Sequence, residues 1–376
     1  MIYLDNAAST PMFPEVIEEI KKLMSEVYGN PSSIHSFGRQ AKVILEESRK
    51  KIAELLHTAP SEIVFTSGGT EANNMALWGC VRTYNIKHII TSGIEHPAVL
   101  KPIQAIGENH KIKVTYLDVD RQGQIDIHQL EEKLQQNDEP TFVSLMYANN
   151  ETGSLLPLEE VSEICKGNNI FFHSDMVQTI GKLAVNFEKT KVGFASSSAH
   201  KYHGPKGIGF LYINENNKIS PILLGGSQER NMRAGTENVW AIAGMVKALE
   251  IANKDLEETQ KYITGLKDYM VSKLKDFEGV TFNADSDKMG LHTILSVSFP
   301  LTPQTEMLIY NLDIAGVAVS GGSACASGSI HQSHVLEALH VDANSQSLRV
   351  SFSKFNTKEE IDKVIAIIKG IIKHEV

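Results

Sequence analysis

With 376 residues, 42% of them hydrophobic, 22% charged and 7% aromatic, the chain has the make-up of a globular protein. It is long enough to bury a large core without disulfides or structural metals, and disorder, collagen-like repetition and disulfide-dense scaffolds are excluded. The 36 basic and 45 acidic residues give a net charge of −9 without a run of like sign, so no electrostatic footprint for nucleic acid or an anionic membrane is expected.

The opening Met1-Ile2-Tyr3-Leu4-Asp5 has no basic segment ahead of an apolar one, which predicts a cytoplasmic protein. Hydrophobic periodicity then predicts a helix over 39–57, a strand over 63–65, a helix over 71–81 and a strand over 88–90. The alternation continues with a strand at 113–117, a helix at 127–134, a strand at 142–146, a helix at 158–166 and a strand at 170–172. Such β/α alternation predicts a largely parallel sheet flanked by helices. From about 236 to 277 the pattern turns into long helix, read as the passage to a second, smaller α/β domain. That domain has strands at 293–299 and 348–352, and a last helix opening at Thr357 with Glu360 three residues on, a capping-box signature. Residues 14–253 are expected to form the large domain, and 1–13 with 254–376 the small one.

The stretch 314–336 lacks Asp, Glu, Lys and Arg but is rich in Ser, Gly, Gln and His, so it is not read as a membrane span. Its Gly/Ser/Ala-rich centre, 320–329, is expected to be mobile and carries one reactive side chain, Cys325. Cys80, Cys165 and Cys325 are too far apart for a CxxC site, and free thiols in a reducing compartment are expected.

Three segments carry chemistry. Phe65-Thr66-Ser67-Gly68-Gly69-Thr70-Glu71 runs from strand through small residues into a helix start, where backbone N–H groups and the helix dipole favour an anion. It has neither the Lys-Ser/Thr of a Walker A loop nor GxGxxG, which argues against ATP and dinucleotides; a plain tight turn with a Thr cap is the other reading. Asp175 ends the strand led by Ile170-Phe171-Phe172, where open α/β sheets place ligand-binding groups. It is either a cap or salt-bridge partner, or a counterion for a buried cationic ring nitrogen or a metal. Ser198-Ala199-His200-Lys201 sets a lysine among small residues, where partial desolvation can make it a nucleophilic amine toward an aldehyde. A His200/His203 metal site lacks a third ligand at a usual spacing.

Together, an anion cup, a strand-end carboxylate and a lysine are what pyridoxal 5′-phosphate requires: donors for its phosphate, an acid for its ring nitrogen and an amine for its aldehyde. The chain resembles the cysteine desulfurases of the class V aminotransferase group, fold-type I pyridoxal-phosphate enzymes. The resemblance runs nearly full length. It is carried by Tyr3-Leu4-Asp5-Asn6-Ala7-Ala8-Ser9-Thr10, Gly29-Asn30-Pro31-Ser32-Ser33, Thr66-Ser67-Gly68-Gly69-Thr70-Glu71, Glu95-His96, Asn149-Asn150-Glu151-Thr152-Gly153, Asp175, Gln178, Ser198-Ala199-His200-Lys201, Gln228-Glu229-Arg230, Arg233-Ala234-Gly235-Thr236, Ser320-Gly321-Gly322-Ser323-Ala324-Cys325 and Arg349. The Ser-Ala-Cys on a Gly/Ser segment is similar to the branch with a long, mobile cysteine loop.

The resemblance implies that Lys201 bonds the cofactor aldehyde and later moves protons, that Asp175 pairs with the ring nitrogen, and that His96 stacks on the ring and assists proton transfer. Gly69, Thr70, Ser198 and His200 are implied to hold the phosphate, Gln178 the ring hydroxyl, and Asn150, ahead of Asn149, to sit near that hydroxyl and the substrate carboxylate. Thr236 is implied to reach the phosphate of a second subunit, making a homodimer with composite sites. Arg349, on a strand with Leu348 and Val350 pointing the other way, is expected to leave its guanidinium free to grip an α-carboxylate. The implied reaction takes sulfur from L-cysteine onto Cys325 as a persulfide and releases L-alanine. The persulfide would then pass to an acceptor protein such as an iron–sulfur scaffold or a tRNA-thiolation enzyme. Because free thiols titrate near pH ~8.5, local help from His96 or the substrate is expected.

Departures from the family pattern include Met176, expected against the cofactor face where Ala is usual and so able to tilt the ring or narrow the pocket. Ser174, Ser227, Asn231 and Ala234 also depart from it. Selenocysteine lyase, class V transaminase or a weakly catalytic cofactor-binding scaffold are the alternatives. A nicotinamide oxidoreductase fails for want of a glycine fingerprint after the first strand.

Overall fold

The computed structural model describes residues 1–168, 170–321 and 333–373. In chain order the elements are β1 (Ile2–Tyr3), α1 (Pro14–Glu26), α2 (Ser36–Leu56), β2 (Ile63–Thr66), α3 (Gly69–Tyr84), β3 (His88–Ser92), α4 (Pro97–His110), β4 (Lys113–Leu117), α5 (Ile127–Gln135), β5 (Thr141–Ser144), α6 (Leu158–Gly167), β6 (Phe171–Asp175), the short α7 (Phe187–Thr190), β7 (Phe194–Ser198) and β8 (Gly209–Ile213). They continue with α8 (Val239–Lys254), α9 (Leu256–Leu274), β9 (Thr281–Phe282), β10 (Ile294–Pro300), α10 (Pro303–Glu306), α11 (Leu308–Ile314), β11 (Val317–Ala318), β12 (Ser320–Gly321), α12 (His334–Ala338), β13 (Ser345–Ser351) and α13 (Lys358–Lys373).

Seven strands form one sheet in the order β2-β8-β7-β6-β5-β3-β4, in which only β8 runs against the rest. Side chains alternate across it because the strand repeat is two residues. Ile63, Phe65, Ile90, Val143, Phe172 and Phe210 join one core with α1, α2, α5, α6 and α8. Val64, Ile89, Phe142, Phe194 and Leu211 join the other with α3 and α4. Being covered on both faces explains why these strands read as short apolar runs.

A second, antiparallel sheet has the order β12-β13-β10-β9 and its own apolar core, in which Leu295, Val297, Leu348 and Val350 meet α9, α11 and α13. Leu4 belongs to that core as well, and β1 pairs in parallel with β11. The start of the chain is thereby tied to this sheet. The last helix has the expected capping box: Thr357 N–H donates to Glu360 Oε2 and Glu360 N–H to Thr357 Oγ1, each at 3.2 Å.

Several boundaries differ from the sequence expectation. β6 runs through His173, Ser174 and Asp175, all buried, because the strand pairs with β5 and β7 on either side. His173 Nδ1 lies 2.9 Å from Ser144 Oγ, whereas its Nε2 and the Ser174 hydroxyl are buried without a partner among the described residues. α4 opens on Pro97 and carries Pro102 within it, a pattern that periodicity alone does not flag. Among the described residues no helix is long and apolar enough to cross a membrane.

Candidate active site

The loops after β2, β3, β5, β6 and β7 leave the carboxyl edge of the parallel strands, where open α/β sheets bind ligands. β6 ends in Asp175, 5% exposed. Its Oδ2 accepts from Asn73 Nδ2 at 2.7 Å and its Oδ1 from the Val177 N–H at 3.0 Å. Asn73 lies on α3, so the helix after β2 braces the acid at the end of β6. Two donors leave lone pairs for a third.

β7 ends in Ser198, and the single turn Ala199–Lys201 that follows delivers the lysine. Its Nζ donates to the carbonyls of Ala7 at 2.7 Å and Ala8 at 2.9 Å. Burial above all, helped by Arg349, pushes this amine down to about 8 against the opposing pull of Asp175 and Asp5. A substantial fraction is therefore unprotonated near neutral pH, which a nucleophilic amine needs.

Between β2 and α3, Gly68 adopts φ +146°, a conformation L side chains rarely take. A Cβ at Gly69 would lie 2.6 Å from Val177 Cγ2, and one at Gly68 would lie 3.5 Å from Ser198 Oγ. The glycine turn thus packs directly against the residues that follow Asp175 and end β7. Ala72 N–H is taken by the Gly68 carbonyl, whereas Gly69 and Thr70 N–H meet no acceptor among the described residues. These are orphan donors of a helix start, suited to a phosphate.

His96 caps α4: its Nδ1 accepts the Ala98 N–H at 3.0 Å, so the proton of the neutral ring sits on Nε2. Burial, with Lys201 and His334, holds it below the ordinary histidine value, and Asp175 works against them. His200 is pushed down to about 4 by burial and by Lys201, Lys206 and Lys182, and its Nδ1 lies 3.2 Å from Ser9 Oγ. Gln178 is buried, its Nε2 donating to the Ala7 carbonyl at 3.0 Å and its Oε1 accepting from Lys182 Nζ at 2.7 Å.

The two asparagines separate cleanly. Asn149 is buried and committed to its own loop, donating to the Ile94 carbonyl at 2.9 Å and accepting from the N–H groups of Glu151 at 2.8 Å and Thr152 at 3.0 Å. Asn150 is only half-buried, and its carbonyl accepts from Arg349 Nη1 at 2.9 Å.

Arg349 corrects one expectation. Leu348 and Val350 do point into the core opposite it, but its guanidinium is not free: Nη2 donates to Asp5 Oδ1 at 2.9 Å. A guanidinium 6% exposed cannot stay unpaired, and the chain start beside β13 supplies the carboxylate. Ser320 Oγ donates to the same Asp5 oxygen at 2.7 Å, and Arg349 Nε remains buried without a partner.

The class V aminotransferase family model matches residues 2–364. The cysteine desulfurase IscS of Dictyoglomus turgidum is 42% identical over 377 residues, covering 99% of this chain and 94% of that protein. The cysteine desulfurase IscS of Methanosarcina thermophila is 40% identical over 376 residues, covering 99% and 92%. The chain belongs to the cysteine desulfurase family. Among solved structures, a NifS-like protein superposes with a TM-score of 0.91 at 38% identity, covering 99% of both chains. SspA in complex with cysteine superposes with a TM-score of 0.81 at 30% identity, covering 95% of this chain and 100% of that one.

Cysteine desulfurases are pyridoxal-phosphate enzymes, and the residues present fit that group. Asp175 has spare lone pairs, the glycine turn has orphan N–H donors beside Ser198, and Lys201 has a depressed amine. Two expected residues stand apart. Thr236 lies exposed on the loop before α8, and Cys325 lies outside the described residues.

The desulfurase fold also corrects the reading of Met176. Its side chain is 0% exposed and belongs to the large core, so it does not face the open site. Val177, two residues past the end of β6 and touching the Gly69 position, is the side chain at the site instead.

Sequence reasoning also missed the braces of the loop that bears Thr236. Glu229, buried, accepts from Arg49 Nη2 at 2.7 Å, from Arg49 Nη1 at 2.8 Å and from the Phe65 N–H at 2.8 Å. Arg233 Nε donates to Glu71 Oε1 at 2.7 Å. Burial works to raise the Glu71 carboxyl, but its bonds from Arg233 and Ser67 outweigh that and hold it below the usual range. Residues Glu229, Arg230 and Asn231 all have positive φ, so a tight turn aims this loop back at α3.

Proposed function

We propose that the chain removes sulfur from L-cysteine as a persulfide on Cys325, releases L-alanine, and passes the sulfur to an acceptor protein for iron–sulfur cluster assembly or thiolation. The observation that carries this reading is the convergence of Asp175, the Gly68-Gly69 turn and the depressed amine of Lys201 at one sheet edge. Pyridoxal phosphate, when bound, supplies an electron sink for carbanion chemistry on the amino acid.

The chain's own residues then have separate tasks. Asp175, fixed by Asn73, accepts a hydrogen bond from the protonated ring nitrogen. Gly69, Thr70, Ser198 and His200 hold the phosphate, and Gln178 the ring oxygen. Arg349 and Asn150 bind the substrate carboxylate; Arg349 does so with N–H groups that remain after Asp5 and the Asn150 carbonyl are served. Lys201 would take the proton from the substrate α-carbon and return it before alanine leaves.

His96 stacks on the ring and donates from Nε2, because its Nδ1 already accepts at the helix start. That N–H would stabilise the approaching Cys325 thiolate, while the substrate sulfur stays a thiol open to attack. Cys325 then attacks as thiolate: an S–S bond forms, the substrate C–S bond breaks with its electron pair left on carbon, and that carbon takes a proton to give alanine. Thr236 is assigned to a neighbouring copy's phosphate in a homodimer.

Purified chain incubated with cysteine should release alanine, and the Cys325→Ser variant should bind the cofactor normally but form no persulfide. Normal persulfide transfer by that variant would refute the role of Cys325. Dependence on a 2-oxo acid with indifference to Cys325 would favour a transaminase.

A further inference from the structure

Behind Lys201 lies a cavity bordered by Lys182, His203, His292, Gln260 and Lys354. No carboxylate is among the described residues that line it. Lys182 follows Gly181, whose φ of +76° allows an approach in which a Cβ would come within 2.7 Å of Tyr202 Cβ. The Lys182 carbonyl accepts from Gln260 Nε2 of α9 at 2.7 Å, so its backbone is anchored from the other side of the cavity.

The ammonium of Lys182 donates to Gln178 Oε1 at 2.7 Å. Gln178 Nε2 in turn donates at 3.0 Å to the Ala7 carbonyl, which also receives Lys201 Nζ at 2.7 Å. A side-chain amide has two nearly isosteric ends, and only its partners decide which end faces where. An ammonium has donors and no acceptor, so it forces the amide oxygen toward itself and the NH2 away. Of the two N–H bonds on that NH2, Ala7 takes one, leaving one for a ligand.

We propose that Lys182 is a positioning residue whose ammonium locks the Gln178 amide so that Nε2 presents a donor to the ring oxygen of pyridoxal phosphate. The inference rests on the reading of Gln178 as the contact to that oxygen. Lys182 also adds positive charge beside Lys201. The groups around it are Lys201, His200 and His203 after β7, His292 before β10, Arg349 on β13 and Lys354 beyond it. Burial, then Lys201 and Arg349, lowers Lys182 to about 7. A bound anion would restore its charge.

The test uses the full chain loaded with pyridoxal phosphate. Equilibrium dialysis gives the cofactor dissociation constant, and absorbance gives the pH midpoint of the lysine-bound chromophore. Loss of a hydrogen bond to a charged group predicts that Lys182→Met weakens cofactor binding about tenfold. With one cation fewer beside it, the chromophore should hold its proton to higher pH. Lys182→Arg should restore both readouts. If Lys182 acts through Gln178, the double variant Lys182→Met/Gln178→Leu should bind the cofactor no more weakly than Gln178→Leu alone.

Unchanged affinity and midpoint in Lys182→Met, or losses that multiply in the double variant, would overturn the inference. Lys182→Gln, which keeps a polar group in the cavity, is read by the same criteria should the methionine variant not fold. Borohydride fixation of the cofactor to Lys201 in the unaltered chain tests the underlying reading separately.

Discussion

Replacing Arg349 with Met should slow cofactor capture through Lys201 as well as substrate binding. Arg349 lowers the lysine amine, and Asp5, which Arg349 pairs at 2.9 Å, acts in the opposite sense. The substitution removes the cation and leaves Asp5 unneutralised, so both changes favour protonated Lys201. An amine with a value of about 8 is about a quarter unprotonated near pH 7.5, against roughly one part in a thousand for an ordinary lysine. Raising it by about one unit, a common effect of one nearby charge, leaves about 3% unprotonated, an approximately eightfold fall. Stopped-flow absorbance of pyridoxal phosphate adding to the cofactor-free chain measures this. The variant should be about eightfold slower near pH 7.5 and nearly equal to the unaltered chain near pH 10, where both amines are largely neutral. A deficit of the same size at every pH would refute the electrostatic reasoning, because it would place the effect in geometry.

Gly69→Ala should weaken cofactor binding by about tenfold or more, since its Cβ would meet Val177 Cγ2 at 2.6 Å, and Val177→Ala in the same chain should recover most of the loss. Dialysis against pyridoxal phosphate checks it. Met176→Ala should cost about 2–5 kcal/mol of stability in urea unfolding, as expected for a buried methionine, while leaving the visible spectrum of the loaded chain in place. A shifted spectrum with unchanged stability would return Met176 to the cofactor face. Cys80 is raised well above, and Cys165 up to about 12, by burial, so brief treatment with iodoacetamide should label Cys325 alone. Peptide mass spectrometry reads the labelling.

Much of this site was legible before any coordinates. Gly68-Gly69, Asp175 and Lys201 follow strands whose apolar runs locate the sheet edge, and their chemistry converges on one cofactor. What the sequence left hidden lies in partners brought together by folding. Asn73 looks like any polar helix residue until α3 sets its amide 2.7 Å from Asp175. Arg49 and Glu229 are separated by 180 residues and become a buried pair only once α2 packs against the turn at 228–231. Arg349 was correctly placed opposite Leu348 and Val350, but strand alternation says nothing of Asp5 arriving from the other end of the chain. Met176 is expected against the cofactor face from the family pattern, and only the folded core shows its side chain fully buried among apolar residues instead.

The central claim is that Lys201 is the amine that bonds the cofactor, and Lys182, a second depressed lysine at about 7 beside it, makes the claim specific. Borohydride reduction of the loaded chain, followed by peptide mapping, decides between them. The account predicts the pyridoxyl group on Lys201 and on no other residue. Recovery of the label on Lys182, or of no covalent label at all, would contradict it.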